Sequence, residues 1–302
     1  MSGGLVALAI VLGAAPNGAA DFAADFQEAE RLFDRQEYEA AALAFERLAA
    51  AAPNSHGQAA SISFAARCRG RLKQVDRALE AARTIEAGPL SAYTRMEILA
   101  DNKRYRELIA DFKDEPIADW PDRINYLGFA LRAGAYIAIG DRRAAIADGE
   151  QCVELAGSDV WVKLELLNQV ASQYGELGDD AKALAVYRRA LAIYEEEPAR
   201  KGRWLYPQAL LGAARIQLRQ GKHGEASAIL AQFGDTSAES RRNVWAFLVL
   251  EAYGDIHADQ GRKADALAKY EDATTISTHQ SYLDRVQEKI EALKSPPPRS
   301  PQ

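Results

Sequence analysis

The sequence predicts an all-α chain, an α-solenoid of about seven helix-turn-helix repeats closed by a C-terminal capping helix. Three observations predict it. One pattern recurs four times: Ala133, Tyr136, Gly140 and Ala145; Ala171, Tyr174, Gly178, Ala183, Tyr187 and Ala190; Ala214, Gly221 and Ala226; Gly254, Gly261, Ala266, Tyr270 and Ala273. The turn glycines follow one another at intervals of 38, 43 and 40 residues, a period that belongs to stacked repeats. Elsewhere apolar residues recur at helical spacing, and no segment reads as a strand. Small residues let two helices approach closely, and the aromatics fill the gap between pairs.

The first repeat opens directly after Ala20. Ala29 to Phe33 lies on one helix, Arg35 to Glu37 forms the turn, and Tyr38 begins the second helix. Ala41, Phe45 and Leu48 recur at i, i+4 and i+7, an apolar stripe facing the partner helix. Pro53 stops that helix, and Asn54 or Ser55 caps the next. The second repeat is looser, with Ile62, Ala65, Ala66 and Arg69 on one face and Val75, Ala78, Ala82 and Ile85 on the return helix. Gly88 and Pro89 close it. The third is short: Ser91 to Ala100, then Tyr105, Leu108, Ile109 and Phe112. Pro116, Trp120 and Pro121 punctuate the chain next, where a bend or a division between sub-arrays is expected. The resulting organisation is 21–118 for the weaker repeats and 119–278 for four strong ones. A capping helix at 279–294 carries Tyr282, Val286, Ile290 and Leu293 on one face and charges on the other. The Pro-rich end, 295–302, cannot be helical and is expected to be a disordered tail.

Composition narrows the function. The 302 residues carry a net charge of -6, which argues against a phosphate-neutralising, nucleic-acid-binding surface. Cys68 and Cys152 belong to no metal or redox motif and read as small buried apolar residues. The apolar run Leu5 to Leu12, followed by Gly18 and Ala20, has the order of a secretory signal peptide over 1–20, although no Lys or Arg precedes it. Export to the periplasm or exterior is therefore expected, with a cytoplasmic location as the alternative. The run is too short to span a bilayer, so no stable membrane insertion is expected once it is removed.

The closest repeat, Val170 to Ala190, resembles the tetratricopeptide repeat through Tyr174, Gly178, Ala183 and Tyr187. Ala41, Phe45 and Pro53 match nearly as well, as do Ala266, Tyr270 and Ala273. The resemblance runs from Phe22 to Ile276 and is weak in the second and third repeats. The longer period resembles kinesin-light-chain-type arrays, and the first repeat behind an export signal resembles bacterial envelope proteins of this family. The resemblance implies a right-handed superhelix that binds a protein or peptide in a concave groove lined by first helices. The groove residues expected are Leu127, Leu131, Asn168, Gln169, Ser172, Arg215, Arg219, Glu251 and Asp255. Arg215 and Arg219, four apart, could hold a carboxylate together, and Asn168 and Gln169 a peptide backbone. The competing reading pairs the two arginines with Glu251 or Asp255. The Lys set that related repeats use for chaperone tails is missing.

Chemistry is not indicated. The four histidines are scattered without metal-ligand spacing, and no nucleophile elbow, phosphate loop or dinucleotide motif occurs. The expectation is a non-catalytic interaction scaffold with no metal and no cofactor. The alternatives are a cytosolic peptide-responsive regulator and an accessory subunit of an envelope assembly machine.

Overall fold

A computed structural model describes residues 19–86, 88–196, 205–234, 244–276 and 279–295. The expected signal segment before residue 19 and the Pro-rich tail from 296 lie outside the described residues. The described chain is all-α. Helical pairs are α1 (Ala19–Asp34) with α2 (Tyr38–Ala51), α3 (Ser55–Arg71) with α4 (Val75–Arg83), and α5 (Pro89–Asp101) with α6 (Tyr105–Phe112). They continue as α7 (Ile124–Ile139) with α8 (Arg142–Leu155), α9 (Val160–Glu176) with α10 (Asp180–Glu196), and α11 (Leu205–Arg219) with α12 (His223–Ala231). The seventh pair is α13 (Val244–Asp259) with α14 (Lys263–Thr274), and α15 (Gln280–Lys294) follows as the cap. No described helix is long and apolar enough to cross a membrane.

Two compact units result, Met1–Asp159 with repeats 1 to 4 and Val160–Gln302 with repeats 5 to 7 and the cap. The change from weak to strong repeats in the sequence therefore falls inside the first unit. The expected bend near Pro116 is firmly packed. Its 3-10 turn buries Ile117 and Trp120. Arg132 of α7 donates to the carbonyls of Phe112, Lys113 and Glu115 at 2.9, 3.2 and 3.2 Å. The same guanidinium holds Asp148 of α8 through two bonds of 2.7 and 2.9 Å. One buried arginine thus ties repeat 4 to the end of repeat 3.

All seven turns share one geometry. A residue one or two positions past the first helix takes a positive φ, and two reversed hydrogen bonds close the helix end. Gly178 N–H donates to Gly175 O at 3.2 Å and Asp179 N–H to Tyr174 O at 2.9 Å. Gln36 and Glu37 do the same to Phe33 and Leu32, at 2.9 Å each. This is the Schellman motif, which satisfies two of the carbonyls that a helix end leaves unpaired.

Aromatics and glycines fit together as the repeat pattern requires. In the first repeats Phe26, Phe45 and Phe64 form a cluster with ring centroids 4.8 to 5.6 Å apart. In the second unit Tyr187 lies against Gly212, where a Cβ would stand 2.2 Å from its Cζ. Tyr270 lies likewise against Gly254, with a Cβ 2.3 Å from its ring. The cap α15 buries Val286 and Ile290 against Phe247, Tyr270 and Ile276, so the last repeat does not end on an open apolar face.

Candidate functional site

Because the turns superpose in kind, first helices can be read in register from them. The residues six and two before each turn residue form a rung on the first-helix face. In the first unit the rungs are Glu30 and Asp34, Arg67 and Arg71, Glu97 and Asp101, then Gly134 and Ala138. In the second they are Ser172 and Glu176, Arg215 and Arg219, Asp255 and Asp259.

Two charged rungs of the first unit, those of repeats 2 and 3, close on each other. Arg67 Nη2 donates to Glu97 Oε1 at 2.8 Å, both side chains being only 13% exposed. Its guanidinium also lies over the Phe33 and Phe64 rings, 5.2 and 4.7 Å from their centroids. Arg71 pairs with Asp101 at 2.8 Å. Glu30 is half-buried and its Oε1 has no hydrogen-bond partner. Burial, with Asp34 beside it, pushes its carboxyl up to about 7. These residues were missed at the level of sequence, where repeats 2 and 3 looked too weak to align; counting back from Gln36, Lys73 and Lys103 would have found them.

The second unit holds a groove of about 840 Å³ lined by Arg215, Leu218, Arg219, Gly221, Asp255, Ala258, Asp259 and Tyr270. Three of the nine expected groove residues, Arg215, Arg219 and Asp255, meet there. Arg219 donates to Asp180 of α10 and to Gly175 O, so neither Glu251 nor Asp255 is its partner. Arg215 is exposed and makes no ion pair or hydrogen bond among the described residues. It lies close enough to Tyr187 to matter electrostatically: burial raises that phenol, while Arg215 and a hydrogen bond with Ser172 oppose the rise.

The other expected positions divide. Ser172 is exposed and Gln169 half-buried in the second unit; Leu127 and Leu131 are half-buried in the first. Asn168 is a correction, since it is buried and its Nδ2 donates to Leu205 O at 2.9 Å, tying α9 to the start of α11. Glu251 is another. It is 3% exposed and held by Arg285 Nε and Lys289 Nζ of the cap, each at 2.8 Å. Burial works against its charge, but those bonds outweigh it and keep the carboxyl below the usual range. Asp255 borders the groove but is already engaged, by Lys289 at 2.7 and 3.0 Å and by the Tyr270 hydroxyl at 2.7 Å. His223, the first residue of α12, meets Asp259 at 2.5 Å.

A second cavity of about 490 Å³ lies in the first unit between Ala59, Ile62, Ile85, Pro89, Leu90 and Ile124. Both cysteines are free and buried, and burial pushes the Cys68 thiol up to about 12, out of the reactive range. Among the described residues no three His, Cys, Asp or Glu side chains come together as a metal site.

Residues 164–197, the greater part of repeat 5, match the tetratricopeptide repeat. No curated protein matches the chain. Among solved structures, the C-terminal part of a repeat-containing protein of this kind from Cytophaga hutchinsonii is similar at 15% identity and a TM-score of 0.53, covering 86% of this chain and 98% of that one. A tetratricopeptide repeat protein from Parabacteroides merdae is similar at 12% identity and a TM-score of 0.49, over 91% and 99% of the two chains. The first of these likenesses carries the fold and nothing finer.

Proposed function

Taking a chain of tetratricopeptide-type helical repeats as the premise, we propose that it is a non-catalytic scaffold that binds a peptide or partner protein in the groove of its second unit. The fold is one that generally serves protein–protein interaction. The observation that carries the finer reading is the groove itself: about 840 Å³, open along first helices, with Leu218, Ala258 and Tyr270 beside Arg215, which makes no ion pair among the described residues. That mixture of apolar wall and a few fixed polar groups suits an extended segment, which a rigid repeat array orders without changing shape. We also propose export, on the strength of the apolar run Leu5 to Leu12 and the small residues behind it.

The test is capture of partners from a native extract on the full chain and on Ala258→Trp, which fills the groove from α13. A partner kept by the parent and lost by the variant, with helical circular dichroism unchanged, is the expected result. Partners retained equally by both would move binding to another surface. Export is checked by sequencing the amino terminus of the protein made in its own cells; an intact Met1 would remove it.

A further inference from the structure

The two sides of α11 face different cavities. Arg215 and Arg219 line the groove, whereas Gln217, about 200° round the helix from Arg215, stands at the floor of a second cavity in the same unit. That cavity is a slot of about 440 Å³ between the second helices α10 and α12. Leu184 and Ile229 give it apolar walls, and Arg188, Glu195 and Glu225 line it with charge. Gln217 is 4% exposed, and its Oε1 has no hydrogen-bond partner among the described residues. A buried acceptor left in that state is costly until a donor completes it. Repeats 2 and 3 show how the chain itself fills the same position, four residues before the turn residue: Arg69 before Lys73 and Leu99 before Lys103, as Gln217 before Gly221. Leu99 fills it with carbon and is fully buried. Arg69, 5% exposed, fills it with a guanidinium, whose Nε and Nη2 donate to Glu46 Oε1 of α2 at 3.0 and 2.8 Å. Repeats 5 and 6 supply neither filling. The counterpart of Glu46, ten residues after the turn residue, is Arg188, and the counterpart of Arg77, four after it, is Glu225. The wall charges are inverted, and the guanidinium on the floor is replaced by a shorter amide.

We propose that the slot between α10 and α12 is a docking site for an arginine side chain of a partner protein, with Gln217 Oε1 and the carboxylates of Glu195 and Glu225 as its acceptors. The site is separate from the groove and does not rest on it. Three observations agree on the chemistry. The orphan oxygen of Gln217 requires a donor. Two of the three charged residues that line the slot are acids. The same position in repeat 2 already holds a guanidinium against a wall carboxylate. An arginine meets all three at once: its stem packs on Leu184 and Ile229, and its planar fork carries five donors, enough for one amide oxygen and two carboxylates. A lysine ammonium is a compact, strongly hydrated charge and suits so spread a set of acceptors less well. Rotation about the terminal torsion of Gln217, which is soft in an amide, turns its oxygen to a donor entering the slot. Arg188 is exposed and opposes the incoming charge, so its removal is part of the test.

Binding of two fluorescent heptapeptides to the full chain is followed by anisotropy. Both set Gly and Ser around one central residue and have blocked ends. The central residue is arginine in one and citrulline, its uncharged isostere, in the other. The arginine peptide is expected to bind about tenfold more tightly, the effect of a charge-assisted hydrogen bond over a neutral one. Glu195→Gln with Glu225→Gln should erase that preference, and Arg188→Gln should enlarge it. Gln217→Leu, which copies Leu99, should weaken both peptides, since each donates to the same oxygen. Gln217→Arg should block both by placing the chain's own guanidinium in the slot. Arg188→Glu added to Gln217→Arg rebuilds the pair of repeat 2 and should raise the melting temperature above that of Gln217→Arg alone. Ala258→Trp fills the groove and should change nothing here. Circular dichroism and a melting curve on each variant separate these effects from unfolding. No binding of either peptide, equal binding of the two, or a preference that survives the double glutamine variant overturns the site. Binding lost in Ala258→Trp but kept in Gln217→Leu would assign the peptide to the groove and overturn it as well. A Gln217→Arg, Arg188→Glu chain that melts no higher than Gln217→Arg overturns the equivalence of the two slots. Free agmatine that competes as tightly as the arginine peptide binds would overturn an arginine carried by a partner in favour of a free small cation.

Discussion

The arginine rung of repeat 2 pairs with the acidic rung of repeat 3, whereas the rungs of repeats 6 and 7 give their charges to second helices and to the C-terminal helix. The residues at corresponding positions are alike: an arginine rung beside an acidic rung in both places. What differs is what else lies within reach. Among the described residues Glu97 pairs with no cation but Arg67, and Phe33 and Phe64 hold the Arg67 guanidinium from its face. In the second unit the cap brings Arg285 and Lys289 onto Glu251 and Asp255. The same alternation of charge therefore serves as internal cement in one place and leaves a cation exposed in the other.

The sharpest way to break this comparison is to remove the matching arginines. Arg67→Ala strands Glu97 with little solvent and strips a cation from two rings, and should cost about 3–5 kcal/mol of unfolding free energy. Arg215→Ala removes an exposed group that has no partner among the described residues and should change stability by no more than about 0.5 kcal/mol. Urea titrations of both variants measure the difference; equal losses would mean that Arg215 is structural and that the two rungs do the same work.

Next in size are the glycine contacts that let the second unit close. Gly212→Ala places a methyl inside the Tyr187 ring position, and Gly254→Ala does so at Tyr270. Since neither ring is free to leave its buried site, each should cost about 1–3 kcal/mol by overpacking. Gly224→Ala is the control, because a Cβ there meets nothing within 4 Å. Melting temperatures that rose in all three would show that helix propensity, rather than ring contacts, dominates.

The turns explain what could be read from the sequence. Repeats 4 to 7 were legible because a glycine stands at each left-handed position, Gly140, Gly178, Gly221 and Gly261. Repeats 1 to 3 form the same turn with Gln36, Lys73 and Lys103, whose φ of 64°, 65° and 59° no propensity suggests. Their register was lost with the missing glycine, and with it the Glu30, Arg67 and Glu97 rungs. The groove was half legible for another reason. Periodicity separates a packed face from an open one, but it does not say which polar residue the next repeat will cover. Asn168 looked like a hook for a peptide backbone and is a hook for Leu205. The last helix was read as an apolar cover; its basic edge, Arg285 and Lys289, turned out to decide which acids remain available. The turn comparison can itself be tested. A residue with a side chain costs about 1–2 kcal/mol in the left-handed region, offset by about 0.5–1 kcal/mol for the extra freedom that glycine has when unfolded. Gln36→Gly should therefore stabilise by roughly 0.5–1 kcal/mol and Gly178→Ala should destabilise by about as much, read from thermal unfolding.

The last expected effect concerns the open end of the first ladder, and it has a definite sign. Glu30 has Asp34 one turn further along α1, and Arg67 of α3 facing it is already committed to Glu97 of α5. Burial first, and Asp34 beside it, push its carboxyl up to about 7 in the folded chain against an ordinary value of 4.5. The folded state holds the proton more tightly than the unfolded one, so folding takes up a proton between those values. The contribution of Glu30 to stability is complete below about 4.5 and is lost as pH rises through about 7. Glu30→Gln mimics the protonated form at every pH. The parent should lose stability relative to that variant between about pH 5 and pH 8, and the two should converge at the acid end. Parallel urea curves across that range would mean that Glu30 stays ionised beside Arg67, and that the first ladder is closed at both ends rather than at one.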